Sequence, residues 1–123
     1  MTAVSAPFGL RPSYHPSGIP RPKQGTITSG LAANIFMNAP IKVVEATGCI
    51  SVAAPTERAL GAFQGVENIK AQGRPTVGNY WPTGTVGTVI RAFYHDDPWL
   101  SYEIQASASL AQTSMYHYAD WTA

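Results

Sequence analysis

Five of the ten prolines of this 123-residue chain lie within its first 22 residues. Each proline fixes φ, removes a backbone donor and biases the residue before it towards extended geometry. Pro12, Pro16, Pro20 and Pro22 therefore exclude a helix, and any central strand, from the stretch SAPFGLRPSYHPSGIPRPKQG at residues 5–25. The expected form is an extended arm over residues 1–25, which fully stretched would reach roughly 80 Å. Phe8, Leu10, Tyr14 and Ile19 are spaced along it. A solvated linker does not usually carry such side chains. They read as anchors that dock on the chain's own body or on a neighbour.

After Gly25 the pattern changes to short β-type runs, expected to form one domain over residues 26–123. A strand is expected to start at Thr26-Ile27-Thr28. Further runs are 33–37 (ANIFM), closed by the turn Asn38-Ala39-Pro40, 41–45 (IKVVE) and 49–53 (CISVA). Residues 59–67 (ALGAFQGVE) carry two glycines, which in a strand mark bulges or close backbone approach. Residues 68–75 read as a loop or hairpin tip, followed by strands at 76–82 and 85–95. Asp96-Asp97-Pro98 is a turn signal. Residues 99–106 alternate, with Leu100, Tyr102, Ile104 and Ala106 on one face and Ser101, Glu103 and Gln105 on the other, the mark of a half-buried antiparallel strand. The last residues suit a short helix capped by Ser107 or Ser109, or a final strand and tail. Seven or eight short strands, with turns every 8 to 12 residues, predict an all-β fold: a small antiparallel barrel or sandwich with the proline-rich arm attached.

Composition narrows the function classes. Charged residues make up only 12% of the chain, with net charge +1, about half the usual share. So little charge gives weak protection against association and suits a protein that hides its surface in an assembly. The eight basic residues are scattered, which argues against nucleic acid and anionic membrane as partners. Cys49 is the one cysteine, so neither an internal disulfide nor a CxxC site can form. No signal-peptide pattern and no apolar run near the length of a membrane span is visible. The expectation is a soluble protein made in a reducing cytosol.

Few residues suggest chemistry. Tyr94-His95-Asp96-Asp97-Pro98 combines a histidine with two carboxylates, which could bind a metal or relay protons. Neighbours on a strand point to opposite faces, however, and aspartates before proline are ordinary turn formers. A turn is the preferred reading, and a metal or catalytic site the lesser one. Cys49 sits in an apolar β run and reads as a small buried hydrophobe. His15, His95 and His117 lie too far from it along the chain to be assigned as its base. No nucleophile elbow, phosphate loop, dinucleotide fingerprint, zinc-protease motif or calcium loop occurs. No cofactor is expected. Tyr80-Trp81, Phe93-Tyr94, Trp99 and Tyr102 could stack bases, but Arg91 alone supplies little of the basic groove that single strands need. Core packing and interface anchoring are preferred for them. Tyr116, Tyr118 and Trp121 either close the end of the fold or form a subunit contact.

Leu60-Gly61-Ala62-Phe63-Gln64-Gly65-Val66-Glu67, Asn79-Tyr80-Trp81-Pro82 and the block from Tyr94 to Gln105 (YHDDPWLSYEIQ) resemble small structural proteins of tailed bacteriophages. So does the opening Ala6-Pro7-Phe8-Gly9-Leu10-Arg11-Pro12. No single motif is chemically specific; the resemblance rests on their order across most of the chain. It implies a head decoration, or cement, protein: a non-enzymatic β domain on the capsid exterior that ties capsomers together. The implied partners are the major capsid protein and further copies of itself, trimers being favoured over dimers, with no nucleic acid and no membrane. The implied location is the outside of the virion, after synthesis in the host cytoplasm. Arg11, Arg21 and Lys23 would then meet acidic capsid surface. The candidate contact residues are Phe8, Leu10, Arg11, Tyr14, Ile19, Arg21, Lys23, Tyr116, Tyr118 and Trp121. Competing readings are a small barrel that binds carbohydrate or single-stranded nucleic acid, an enzyme built on His95 and its neighbouring carboxylates, and a head–tail connector.

Overall fold

The computed structural model describes residues 9–69, 73–106, 109 and 111–114. Within them lie eight strands: β1 (Arg11–Tyr14), β2 (Lys23–Gly25), β3 (Pro40–Val44), β4 (Cys49–Val52), β5 (Gly61–Ile69), β6 (Pro75–Gly78), β7 (Val89–His95) and β8 (Ser101–Glu103). The fold is all-β, with every ladder antiparallel. The described residues contain one further element, a 3-10 turn at Gln112–Ser114. Phe8, Tyr116, Tyr118, Trp121 and Ser107 lie outside the described residues.

The main sheet runs β2-β7-β5-β3-β4, with β6 also against β5. β5 is its spine. It pairs along β7 on one side, and on the other changes partner from β3 at Gly61 and Ala62 to β6 from Val66 onward. The change falls at a bulge: Phe63 pairs Tyr94, Gly65 pairs Phe93, and Gln64 is the extra residue. A bulge bends its strand and re-aims a side chain; Gln64 Nε2 here donates to Asn38 Oδ1 at 3.2 Å. Both glycines of the β5 run do what their positions suggested. A Cβ on Gly65 would lie 3.0 Å from the Gly78 carbonyl oxygen, and one on Gly61 only 1.6 Å from the His95 carbonyl oxygen.

The second layer is largely irregular. Ile35 and Trp81 exchange both backbone hydrogen bonds, at 2.9 and 2.7 Å. Gly30 and Gly84 donate to the Thr85 and Leu31 carbonyls, both at 2.8 Å, and Thr83 N–H donates to Asn34 Oδ1. The segments around residues 28–35 and 81–87 are thus zipped together over the sheet. Ile27, Ile35, Ile41, Ile50, Phe63, Val66, Trp81 and Ala92 fill the space beneath. Burying Trp81 and Phe63 fully contributes roughly 2–3 kcal/mol each at the area-based scale.

The sheet is not closed into a barrel, so of the two expected forms the structure is the open, sandwich-like one. After Gly25 the chain turns inward at Ile27, which is buried, and β2 is too short to offer β4 an edge. Across the gap Ile50 N–H donates to the Thr26 carbonyl at 2.9 Å, with no ladder between β2 and β4. The inward turn also displaces the strand expected at residues 26–28 to 23–25. The expected strand at 33–37 is a single bridge, because Asn38 at φ 65° ends it. Asparagine tolerates that left-handed geometry better than most residues. The run 85–95 becomes strand only from Val89, since Thr85 and Gly87 bond to the facing segment. The run 99–106 keeps its strand only over 101–103.

Gly61→Ala should therefore be costly. The added methyl meets backbone, which cannot swing aside as a side chain can, and overpacking of this kind costs about 1–3 kcal/mol or more. Urea unfolding is expected to show a lower midpoint with an unchanged slope, the shift being larger than that of Gly78→Ala, where φ is ordinary and a Cβ would come no nearer than 3.6 Å to the Tyr80 carbonyl oxygen.

Candidate interaction surface

Residues 9–25 lie on the chain's own body. Leu10 N–H donates to the Asn38 carbonyl at 2.7 Å. β1 then pairs with β8 in a separate two-stranded sheet, with Arg11 opposite Glu103, Pro12 opposite Tyr102 and Tyr14 opposite Ser101. Proline is accommodated because both strands are edges. After a turn closed by Gly18 N–H to the His15 carbonyl, at 2.8 Å, the chain enters β2 and pairs with β7.

The arm's charges find partners within the chain. Arg11 Nε donates to Glu103 Oε2 at 3.2 Å, and Arg11 Nη2 also pairs with Glu103. Lys23 Nζ lies 3.0 Å from Asp96 Oδ2. His15 Nε2 lies 2.6 Å from Asp97 Oδ2. Among the described residues Arg21 forms no ion pair, and its side chain is exposed. Of the three cations expected to face an acidic partner, two are thus engaged at home. The bond from His15 to Asp97 spans 82 positions, too far for any sequence pattern to suggest.

The Tyr94–Pro98 cluster forms a turn. Leu100 N–H donates to the Asp97 carbonyl at 3.1 Å, and Trp99 N–H to Asp97 Oδ1 at 2.9 Å. The Trp99 amide, followed by His15, holds the Asp97 carboxyl below its usual range. Hydrogen bonding and charge from Asp96 raise the Lys23 ammonium. His95 instead turns inward: it is 6% exposed, and its Nδ1 has no hydrogen-bond partner. Burial pushes its pKa down, against a hydrogen bond to the Arg21 backbone and the charge of Asp96, both of which raise it. No hydrogen bond joins His95 to either carboxylate among the described residues. Nor do these residues hold a group of three or more His, Cys, Asp or Glu placed to bind a metal. Cys49 is half-buried, with its thiol 3.8 Å from the Thr47 carbonyl.

An open groove of about 700 Å³ runs between the 57–60 segment and this turn. Lys42 and Glu57 cross it as an ion pair at 2.5 Å, and Arg58, Leu60, Asp96 and Tyr102 line it. Its charges are of both signs and mostly paired, which suits a mixed protein surface rather than a small anion.

The arm's large apolar side chains do not go inside. Tyr14 is 62% exposed and Ile19 63%, whereas Leu10 is half-buried. Trp99, on the turn that holds His15, is 73% exposed. Phe36 and Tyr80 stack at 5.9 Å on the surface of the second layer, beside exposed Met37. The sequence did not mark Phe36 and Met37 as exposed, because an apolar residue in a β run looks like core until the layer above it is known; Trp99, expected in the core or at an interface, is not in the core. No protein-family model, no curated protein and no solved structure matches the chain.

The buried His95 gives a pH dependence with a definite sign. The unfolded chain takes up a proton near 6.5, and the folded chain resists it to lower pH. The neutral-histidine contribution is therefore complete above 6.5 and is lost as pH falls through the lower folded value. Melting temperature should drop across this window, and His95→Gln should flatten that part of the curve.

Proposed function

We propose that this chain is a structural decoration protein of a tailed-phage head, bound to the outer face of the capsid and bridging capsomers. In this reading it is not an enzyme and needs no cofactor. Its partners are the major capsid protein and other copies of itself, with trimers favoured over dimers. Neither nucleic acid nor membrane is a partner.

The observation that carries the reading is the arm. Hydrogen bonds and ion pairs fix its backbone, while Tyr14 and Ile19 stay open to solvent. Large apolar groups held out on a pre-ordered, proline-stiffened strip lose little entropy on docking, and aromatic anchors of this kind dominate binding energy at interfaces. The resemblance to phage structural proteins supports the same reading. Its segments include the spine strand with Gly61, the buried Trp81 and the turn that clasps the arm. The engagement of Arg11 and Lys23 by Glu103 and Asp96 moves the expected contact away from charge and towards the apolar side chains and Arg21.

The test is to mix purified protein with expanded, undecorated heads of the cognate phage and to pellet the heads. Binding should saturate at a fixed number of copies per capsid subunit. Tyr14→Ser and Ile19→Ser, both at exposed positions, should leave melting unchanged and weaken attachment about tenfold or more, the scale of losing an interface anchor. Heads that bring down no protein would overturn the decoration reading.

A further inference from the structure

We infer that β1 is exchanged between copies of this chain, each arm pairing with the β8 of a neighbour; the inference rests on the oligomer proposed above. The β1–β8 sheet shares no ladder with the main sheet, and a two-stranded pair alone is marginal in water. Besides the ladder, the contacts that hold the arm include Leu10 to Asn38, Arg11 to Glu103 and His15 to Asp97. The last two span 92 and 82 positions. Contacts so remote in sequence form equally well with the same groups of a second copy, which is what makes strand exchange accessible.

The hinge favours the exchanged form. Residues 15–22 join β1 to β2 and contain Pro16, Pro20 and Pro22, which favour extended backbone. Within one chain they must fold back through the turn at His15–Gly18, with Gly18 at φ 84°. Opening this short hinge would cost the turn's backbone hydrogen bond and would match the extended backbone that its prolines favour. Exchange also gives the exposed apolar groups a place. Tyr14 sits opposite Ser101, and Trp99 lies two residues before Ser101. Both are on the seam where arm meets turn, and a neighbour's hinge crossing there brings Ile19 to the same seam.

The geometry sets a limit. Asp96 holds its own chain's Lys23, while Asp97 holds the neighbour's His15. The eight Cα steps from His15 to Lys23 span at most roughly 29 Å. The Asp96-Asp97 turns of adjacent copies must then lie within that reach, extended by the His15 and Lys23 side chains.

Arg11 and Glu103 face each other across the ladder, so Arg11→Cys with Glu103→Cys, in a Cys49→Ser background, places two thiols within disulfide reach. Exchange predicts that mild oxidation gives covalent multimers on a non-reducing gel. It also predicts that co-expressed single variants, R11C in one tagged chain and E103C in another, cross-link to each other. Light scattering of the unaltered protein should show an oligomer, and a Gly-Ser insertion after Gly18 should shift it towards monomer. A disulfide confined to one chain, an oligomer that gives no bond between chains, or a monomer at all concentrations would overturn the inference. Heads that still bind a protein cross-linked within one chain would remove the exchange and keep the decoration role. Exchanged oligomers that ignore heads would do the reverse.

Discussion

The close approach of β5 to the end of β7 at Gly61 organises the rest of the molecule. With no side chain there, the backbone of β5 can lie against the His95 carbonyl, and β5 can carry β3 on its other side. That contact fixes where β7 stops. It therefore fixes where Asp96 and Asp97 stand, and these two carboxylates hold Lys23 and His15. His95 closes the same knot from inside, buried and facing the Arg21 backbone. The order of the arm is thus a consequence of a glycine some forty residues further along the chain.

The low charge content takes a particular form. Among the described residues, four ion pairs and the His15–Asp97 hydrogen bond engage five of the seven acidic residues: Glu57, Glu67, Asp96, Asp97 and Glu103. Three of these five contacts tie down the arm. Exposed pairs of this kind stabilise little individually, so they act more as positioning devices than as a source of stability. What they leave facing solvent is poor in unpaired charge and rich in large apolar groups, a surface that favours contact with another protein over solubility.

Much of the fold was legible because it is local. Alternation, β-branched runs and turn residues marked β3, β4, β5 and β7 to within a few residues, and the two glycines of the β5 run announced a bulge and a close approach. What could not be read is what depends on contacts between distant segments. ANIFM has strand composition but finds a partner only at Trp81. The arm's prolines forbade a helix, yet nothing in them foretold that Pro12 would sit opposite Tyr102. The same limit held for the interaction surface. Tyr14 and Ile19 were singled out by their company of prolines and do stand exposed, but the retention of Arg11 and Lys23 by Glu103 and Asp96 was not legible, because an acid's availability is decided in three dimensions.

The pairing of β1 and β2 with β8 and β7 also has a meaning in time. The ribosome makes the arm before the strands that receive it, which follow some 70 to 90 residues later. At synthesis rates of roughly 5–20 residues per second, that interval is on the order of 4–18 s. Throughout it the arm is complete, stiff and without its partner strands. On a crowded polysome, a finished β7–β8 edge on an older chain would be available before the chain's own, so the order of synthesis itself biases which copy the arm meets first.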